Sequence, residues 1–315
     1  MVNKELRSSL LLLVTAAIWG FAFVAQRVGM QYVGAFTFNG IRFALGSVSL
    51  IPVIHFVGKK RQAFKEKQSD DARYNKRKIL KYGTVAGGVL FIAATLQQVG
   101  LIYTTAGKAG FITSLYIVLV PILGVVIKQK SSPNIWTGAL IAAIGLYFLS
   151  INEDLRIEFG DFLQLAGAFF WAVHILVIGV FVSRVDALRL SSIQFAVCSL
   201  LSFLVAILFE EIQMSGIISA LVPILYGGLM SVGVAYTLQV VAQRHAKASH
   251  AAIALSMEAV FAALGGMLLL SETLPLRGYL GSGLMLIGML ISQADNFGKK
   301  AKEMDVINEW EKQRD

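Results

Sequence analysis

Apolar residues in this chain come in long continuous runs, with polar residues gathered between them. Runs near residues 9–28, 34–57, 79–101, 106–127, 134–151, 161–181, 190–209, 217–240, 247–270 and 276–294 approach the ~20 residues a helix needs to cross the hydrocarbon core of a bilayer. The pattern predicts an all-α integral membrane protein with ten transmembrane helices. The first run, Ser9 to Val28, is too long for a signal-peptide core and has nine similar runs after it, so it reads as a retained span.

The runs also repeat. Thr95–Pro133 laid over Thr237–Pro275, at a fixed offset of 142, gives ten identities in 39 positions. Apolar matches are cheap in such a chain. Those at Thr95/Thr237, Gln97/Gln239, Ser114/Ser256, Gly124/Gly266 and Pro133/Pro275 are harder to obtain by accident. Self-similarity at a fixed spacing marks a duplicated structural unit. The offset covers five spans, an odd number, so the copies insert upside down relative to each other. That arrangement predicts a substrate site near the midplane, between the repeats. The expected units are a first five-helix repeat over 9–151, a second over 161–294, and a cytoplasmic tail over 295–315.

Composition agrees with the pattern. The chain of 315 residues is 56% hydrophobic and 15% charged, with a mean hydropathy of +0.69. Its net charge of +9 would suggest nucleic acid if the cations were spread over a surface. They are not. Alternate connections, counted from a cytoplasmic N-terminus, hold 23 of the 28 basic residues, ten of them in Lys59–Lys81. The opposite connections hold Arg27, Lys108, Arg156 and Arg277, with seven acids. This asymmetry predicts a multi-pass protein of the cell membrane, plasma or inner, with both termini cytoplasmic. The basic loop then reads as an orientation signal beside anionic headgroups, and no nucleic-acid partner is expected. The single Cys198 excludes a disulfide framework or a thiolate metal site.

Two segments carry a resemblance. AAIWGFAFVAQRVG (Ala16–Gly29) followed by FTFNGIRFALG (Phe36–Gly46), and SMEAVFAALGGMLLLSETLPLRGYLGSGLMLIG (Ser256–Gly288), resemble the start and end of an EamA-domain protein of the drug/metabolite transporter superfamily. The family pattern often has Pro after the glutamate at 258, where this chain has Ala259. The resemblance implies a ten-helix exporter or exchanger of small metabolites, typically amino acids or amphipathic compounds.

Polar residues within the spans are the site candidates, because each is costly in hydrocarbon. Glu258 lies about ten residues into its span, roughly 15 Å deep, and its repeat counterpart is Tyr116. It either lines a wet cavity, pairing with a substrate amine or exchanging a coupling proton, or is a structural carboxylate bonded to neighbouring helices. Arg42 either binds an anionic group, pairs with Glu258, or knits helices through its five donors. His174 shares a helix face with Trp171, as a site residue or as a hydrogen-bonded core histidine. Gln97 and Gln239 are repeat partners whose amides must find partners of their own. Trp19 and Trp171 hold matching places, as cavity walls or bundle filling. Lys108 and His250 are repeat partners at opposite span entrances, as interfacial positions or as gates. Pro121 and Pro223 each free a backbone carbonyl inside a span.

No phosphate-binding loop and no H-E-x-x-H or C-x-x-C motif is present, so no nucleotide hydrolysis, cofactor or resident metal is expected. The reading is a secondary transporter of a small organic solute by alternating access, not an enzyme. An integral-membrane enzyme would need polar clusters absent here. A channel would need a continuous polar stripe. The tail places Met304, Ile307 and Trp310 at helical spacing, as a surface helix or a disordered end.

Overall fold

Where the sequence runs apolar, the chain is helical. The computed structural model describes residues 4–63, 75–129, 132–150, 158–269 and 276–292. The first half comprises α1 (Lys4–Gly29), α2 (Ala35–Ala63), α3 (Lys76–Gly100), α4 (Ala106–Ser114), α5 (Tyr116–Val126) and α6 (Pro133–Ser150). The second comprises α7 (Phe159–Phe181), α8 (Ala187–Phe209), α9 (Met214–Ser219), α10 (Leu221–Leu225), a π-helical segment (Tyr226–Tyr236), α11 (Thr237–Ala242), α12 (Ala248–Leu255), α13 (Glu258–Leu269) and α14 (Leu276–Ser292). No strand occurs among the described residues.

Eight stretches are long and apolar enough to cross a membrane, and Pro133–Phe148 and Leu276–Ser292 are shorter apolar helices. The ten expected runs are thus all helical, but three are not single α-helices. The eighth is assembled from α10, the π segment and α11. The fourth and ninth each break in the middle, between α4 and α5 at Leu115 and between α12 and α13 at Ser256–Met257. Both breaks tighten into i→i+3 bonds, from Leu115 N to Ile112 O (3.2 Å) and from Met257 N to Ala254 O (3.4 Å). Pro121 is not the cause of the first, since it lies within α5 beyond the break. The expected 58–81 loop is shortened from both sides, because α2 runs on to Ala63 and α3 begins at Lys76. The tail from 295 and most of the linker at 152–160 lie outside the described residues.

Local chemistry sets the helix starts. Asn75 accepts from Arg77 N and Lys78 N at 3.1 and 3.2 Å, and Asp186 from Arg189 N at 3.1 Å, each satisfying amides that a first turn leaves unpaired. The start of α2 is capped from a distance instead. The Glu210 carboxylate, at the end of α8, accepts from Phe36 N (2.8 Å), Thr37 N (2.7 Å) and Thr37 Oγ1 (2.7 Å).

Tertiary packing pairs helices across the two halves. α2 lies on α8, where Ser47 Oγ donates to Ser192 O (2.9 Å) and Ser199 Oγ to Gly40 O (2.8 Å). α6 lies on α14 at backbone contact. A Cβ added at Gly138 would meet Gly288 O at 2.6 Å, one at Gly145 would meet Gly281 O at 2.6 Å, and one at Gly288 would meet Gly138 O at 2.5 Å. Small residues of this kind let membrane helices approach closely. The outward surface is apolar, with Ile207, Leu208, Phe209, Val222 and Leu268 all exposed. A continuous apolar exterior is suited to lipid.

Candidate functional site

The two helix breaks meet at the centre of the bundle. Tyr116 and Glu258 are the first residues after the respective breaks, and Tyr116 Oη donates to Glu258 Oε1 at 2.9 Å. One turn earlier, Ser114 Oγ donates to Ser256 O at 3.3 Å. Both bonds join residues 142 apart. Glu258 therefore sits at the N-terminal end of α13, where the helix dipole presents partial positive charge.

Beside these bonds is a narrow cavity walled by both halves. The first half contributes Trp19, Phe23, Gln26, Arg42, Gln97, Thr113 and Tyr116 to its wall. Ile175, Trp171, Ser231, Tyr236, Gln239 and Glu258 come from the second. Seven of the eight sequence candidates thus face one space. His174 does not. It is wholly buried behind the wall, with Nε2 2.9 Å from Gln194 Oε1 and its ring edge-on to Trp171 and Tyr236. This is the hydrogen-bonded core histidine of the two sequence readings.

Arg42 and Glu258 share the cavity without pairing. Arg42 Nε donates to Asn39 Oδ1 at 2.9 Å, Asn39 Nδ2 donates to Ala94 O at 3.3 Å, and the guanidinium carbon lies 4.8 Å from the Phe43 ring centroid. Arg42 is 1% exposed, and its Nη2 has no hydrogen-bond partner among the described residues. Of the alternatives open to Arg42, the pair with Glu258 is not formed: Tyr116 holds the carboxylate and Asn39 the guanidinium.

The amides divide unequally. Gln97 is saturated: its Oε1 accepts from Trp171 Nε1 (2.8 Å), its Nε2 donates to Gln26 Oε1 (3.3 Å), and its backbone carbonyl accepts from Gln164 Nε2 (2.8 Å). Gln239 Oε1, equally buried, has no partner among the described residues. Trp19 Nε1 donates to the backbone oxygen of Ser231 at 3.2 Å.

Sequence reasoning missed the hub of the aromatic wall. Tyr236, the last residue of the π segment, lies 4.5 Å from Trp19 and 6.0 Å from both Trp171 and Phe43, centroid to centroid. The repeat argument passed over it because its counterpart is Ala94. Long π segments are rare and concentrate at functional sites, but nothing in this stretch's apolar pattern announces one. Gln26 was legible as a polar residue inside the first run.

Beyond the cavity, toward the α3–α4 turn, a second polar group closes the bundle. Lys108 Nζ lies 2.6 Å from Asp161 Oδ2, Thr104 Oγ1 donates to Asp161 Oδ1 at 3.2 Å, and Arg27 donates to Thr104 O. Lys108, expected at an interface or a gate, ties α4 to α7. At the opposite end, between the α5–α6 and α11–α12 turns, a cleft with ≈ 790 Å³ of empty space is lined by Gln129, Ile135, Gly179, Ala246, Lys247, Ala248 and Ser249. No cluster of His, Cys, Asp and Glu able to hold a metal ion occurs among the described residues.

Apolar helices long enough to cross a bilayer, broken at its centre round a cavity with paired amides, aromatics and one carboxylate, have the build of a membrane transporter. The comparisons with known proteins agree. The chain belongs to the EamA-like transporter family, whose model matches residues 6–151 and again residues 158–293. It is 32% identical over 289 residues to an "uncharacterized transporter" of Archaeoglobus fulgidus, covering 91% of this chain and 86% of that one. It is 24% identical over 285 residues to the "uncharacterized transporter YoaV" of Bacillus subtilis, covering 87% and 92%. A solved structure titled "Crystal structure of protein" shares the fold, with a TM-score of 0.71 at 16% identity over 91% of this chain and 96% of that one.

Proposed function

We propose that this chain is a secondary transporter, an exporter or exchanger of small organic metabolites such as amino acids or amphipathic compounds, working by alternating access. Its architecture on this reading is ten spans in two inverted five-helix repeats, about 9–151 and 161–294, with both termini in the cytoplasm and the tail from 295 beside them. The two shorter apolar helices complete the ten. At 1.5 Å per residue a 17-residue helix is about 25 Å long, near the lower limit for a span.

One observation carries the reading: the central hydrogen bond, Tyr116 to Glu258, joins residues at equivalent places in the two halves. Residues related by a two-fold axis touch only where the axis passes, and a transporter of this build places its substrate there. Further contacts support the same axis. Phe43 and Phe195, 152 apart, have ring centroids 6.3 Å apart. The Ser47–Ser192 and Ser199–Gly40 bonds exchange under that offset of 152. The offset is larger here than the 142 of the later helices because the first half carries the long loop after α2.

The chemistry of the cavity fits an organic solute with opposite charges or strong dipoles at its ends. Glu258 offers a carboxylate to a substrate amine and is the cavity group able to exchange a coupling proton. Arg42 offers an unused N–H donor to a carboxylate or other anionic group. The aromatic wall of Trp19, Trp171 and Tyr236 accepts flat or apolar bodies.

Three kinds of experiment test the reading. Reporter fusions after Lys60, Lys130, Arg189 and Lys299 should report cytoplasm and one after Asp154 the outside; an outside signal at Lys299 would break the inverted repeat. Metabolite profiling of cells with and without the protein should name a solute, and purified protein in liposomes should move it without ATP. In a Cys198→Ala background, single cysteines at Trp19, Gln97, Trp171 and Gln239 should react with small water-soluble thiol reagents and be protected by that solute. Inert cysteines at all four would place the site elsewhere.

A further inference from the structure

On the inverted-repeat reading some bonds recur at equivalent places in the two halves and others do not, and one missing bond is informative. Trp171 and Gln97 are joined, Nε1 to Oε1, at 2.8 Å. Trp19 is the counterpart of Trp171, and Gln239 that of Gln97. The bond equivalent to Trp171–Gln97 is therefore Trp19–Gln239, and it is not made. The Trp19 indole donates instead to Ser231 O, and Gln239 Oε1 is buried without a partner among the described residues. Buried amide oxygens in native proteins are almost always paired, so an orphan needs a reason.

The helix before Gln239 supplies one. The π segment Tyr226–Tyr236 runs directly into α11, which carries Gln239. Its counterpart, residues 84–94, lies inside α3, which is α-helical throughout. A π turn closes through i→i+5 bonds and an α turn through i→i+4, so the winding of this segment sets which way Gln239 points. In the first half, α winding delivers Gln97 to its tryptophan. In the second, π winding leaves Gln239 short of its own.

We propose that Trp171–Gln97 and Trp19–Gln239 are alternating gate bonds, of which this conformation holds the first closed and the second open. The proposal rests on the inverted-repeat transporter reading above. In the opposite conformation the Tyr226–Tyr236 segment takes up α winding, Gln239 Oε1 receives the Trp19 indole, and Trp171 parts from Gln97. One indole–amide bond replaces another, which keeps the two states close in energy, as a reversible cycle requires.

The surroundings of the two bonds differ, with polar ties about the first, although a cleft lined by Met30, Tyr32, Val99, Ile102 and Glu210 also reaches the Lys108 side. About the made bond, Thr113 Oγ1 donates to Gln164 Oε1 at 3.2 Å, Arg27 donates to Thr104 O, and Lys108 pairs with Asp161. The counterparts of Arg27 and Thr104 are Gly179 and Ala246. These two are not sealed together but line the cleft at the far end.

The test uses the full-length protein with Cys198→Ala, in liposomes of phosphatidylcholine and phosphatidylglycerol, and one reporter cysteine, Gly179→Cys, in the cleft. A Cβ there meets only ordinary contacts, Ala248 Cβ at 3.6 Å being the nearest. The readout is its initial rate of reaction with a charged methanethiosulfonate. Breaking the made bond with Gln97→Leu, or with Trp171→Phe if the first variant folds poorly, should slow labelling by about 2- to 10-fold, the population change one net hydrogen bond produces. Removing the unmade bond with Gln239→Leu, or with Gln239→Met in reserve, should leave labelling as fast or faster while transport of the solute falls. Slower labelling in both sets of variants, or in neither while solute still moves, overturns the exchange and leaves the transporter reading intact. If the parent protein moves no solute in any assay, the transporter reading itself fails. In that case a surviving opposite response of the two sets still supports the switch.

Discussion

Replacing Glu258 with Gln separates function from packing at the centre of the bundle. The glutamine has nearly the same volume and keeps an oxygen to accept from Tyr116 Oη, now 2.9 Å from the carboxylate, so the tyrosine hydroxyl keeps its acceptor while the new amide N–H donors face the cavity. A change that preserves shape and this bond should cost less than losing the bond outright, about 1–3 kcal/mol. Tyr116→Phe is the contrasting variant, since it deletes the donor and leaves a buried carboxyl oxygen without it. That should cost about 1–3 kcal/mol, or roughly 2–9 °C in melting temperature at about 2–3 °C per kcal/mol. The assay pairs thermal unfolding in detergent with solute exchange in liposomes from about pH 5.5 to 8, a window spanning the usual range of histidine and of perturbed carboxyls. Glu258→Gln should melt close to the parent yet lose net transport or its pH dependence. Tyr116→Phe should melt lower while keeping part of its activity. A glutamine variant fully active throughout that window would refute the argument and make Glu258 a structural residue; a variant that fails to accumulate would show that the carboxylate holds helices together.

Other perturbations follow from single contacts. Glu210→Ala removes three bonds to the start of α2, and its cost should lie near the upper end of about 0.5–2 kcal/mol for lost caps, read by denaturation. Gly288→Ala drives a methyl into Gly138 O and Ala142 N at 2.5 and 2.7 Å, whereas Gly283→Ala meets nothing within 4 Å; the first should lower yield and melting temperature, and the second should leave both unchanged. Asp161→Asn should loosen the Lys108 tie by no more than about 1 kcal/mol, because Lys108 is 35% exposed, and the loss should shrink further in high salt.

The helices were legible because a bilayer allows few backbone solutions. With no water to satisfy amides in hydrocarbon, a long apolar run must close its hydrogen bonds internally as a helix, so the runs reported their own structure. Charge asymmetry and the 142-residue offset then suggested which residues would gather, and seven of eight candidates do line one cavity. The failures have a common cause. His174 and Trp171 share a helix face, yet the ring at 174 turns toward Gln194 on α8, a choice made by the neighbour and not by spacing. Among the alternatives open to Arg42, the sequence could not show that Asn39, one turn back on its own helix, takes the guanidinium. The π winding and the central place of Tyr236 left no trace in the pattern, since Tyr226–Tyr236 falls within the range of the α-helical runs in apolar character.

The two ends of the cavity are held by different kinds of force, and temperature and salt act on them differently. At the Lys108 end the closure is an ion pair with side-chain hydrogen bonds. At the far end the equivalents of Asp161, Gln164, Thr113 and Arg27 are Ser9, Leu12, Leu255 and Gly179, so closure there must rest mainly on apolar contact. Added salt weakens exposed charge pairs, while apolar association strengthens on moderate warming because it is driven by the entropy of water. On the alternating-access reading, cold, low-salt buffer therefore favours the conformation with the Lys108–Asp161 tie made, and warmth with high ionic strength favours its opposite.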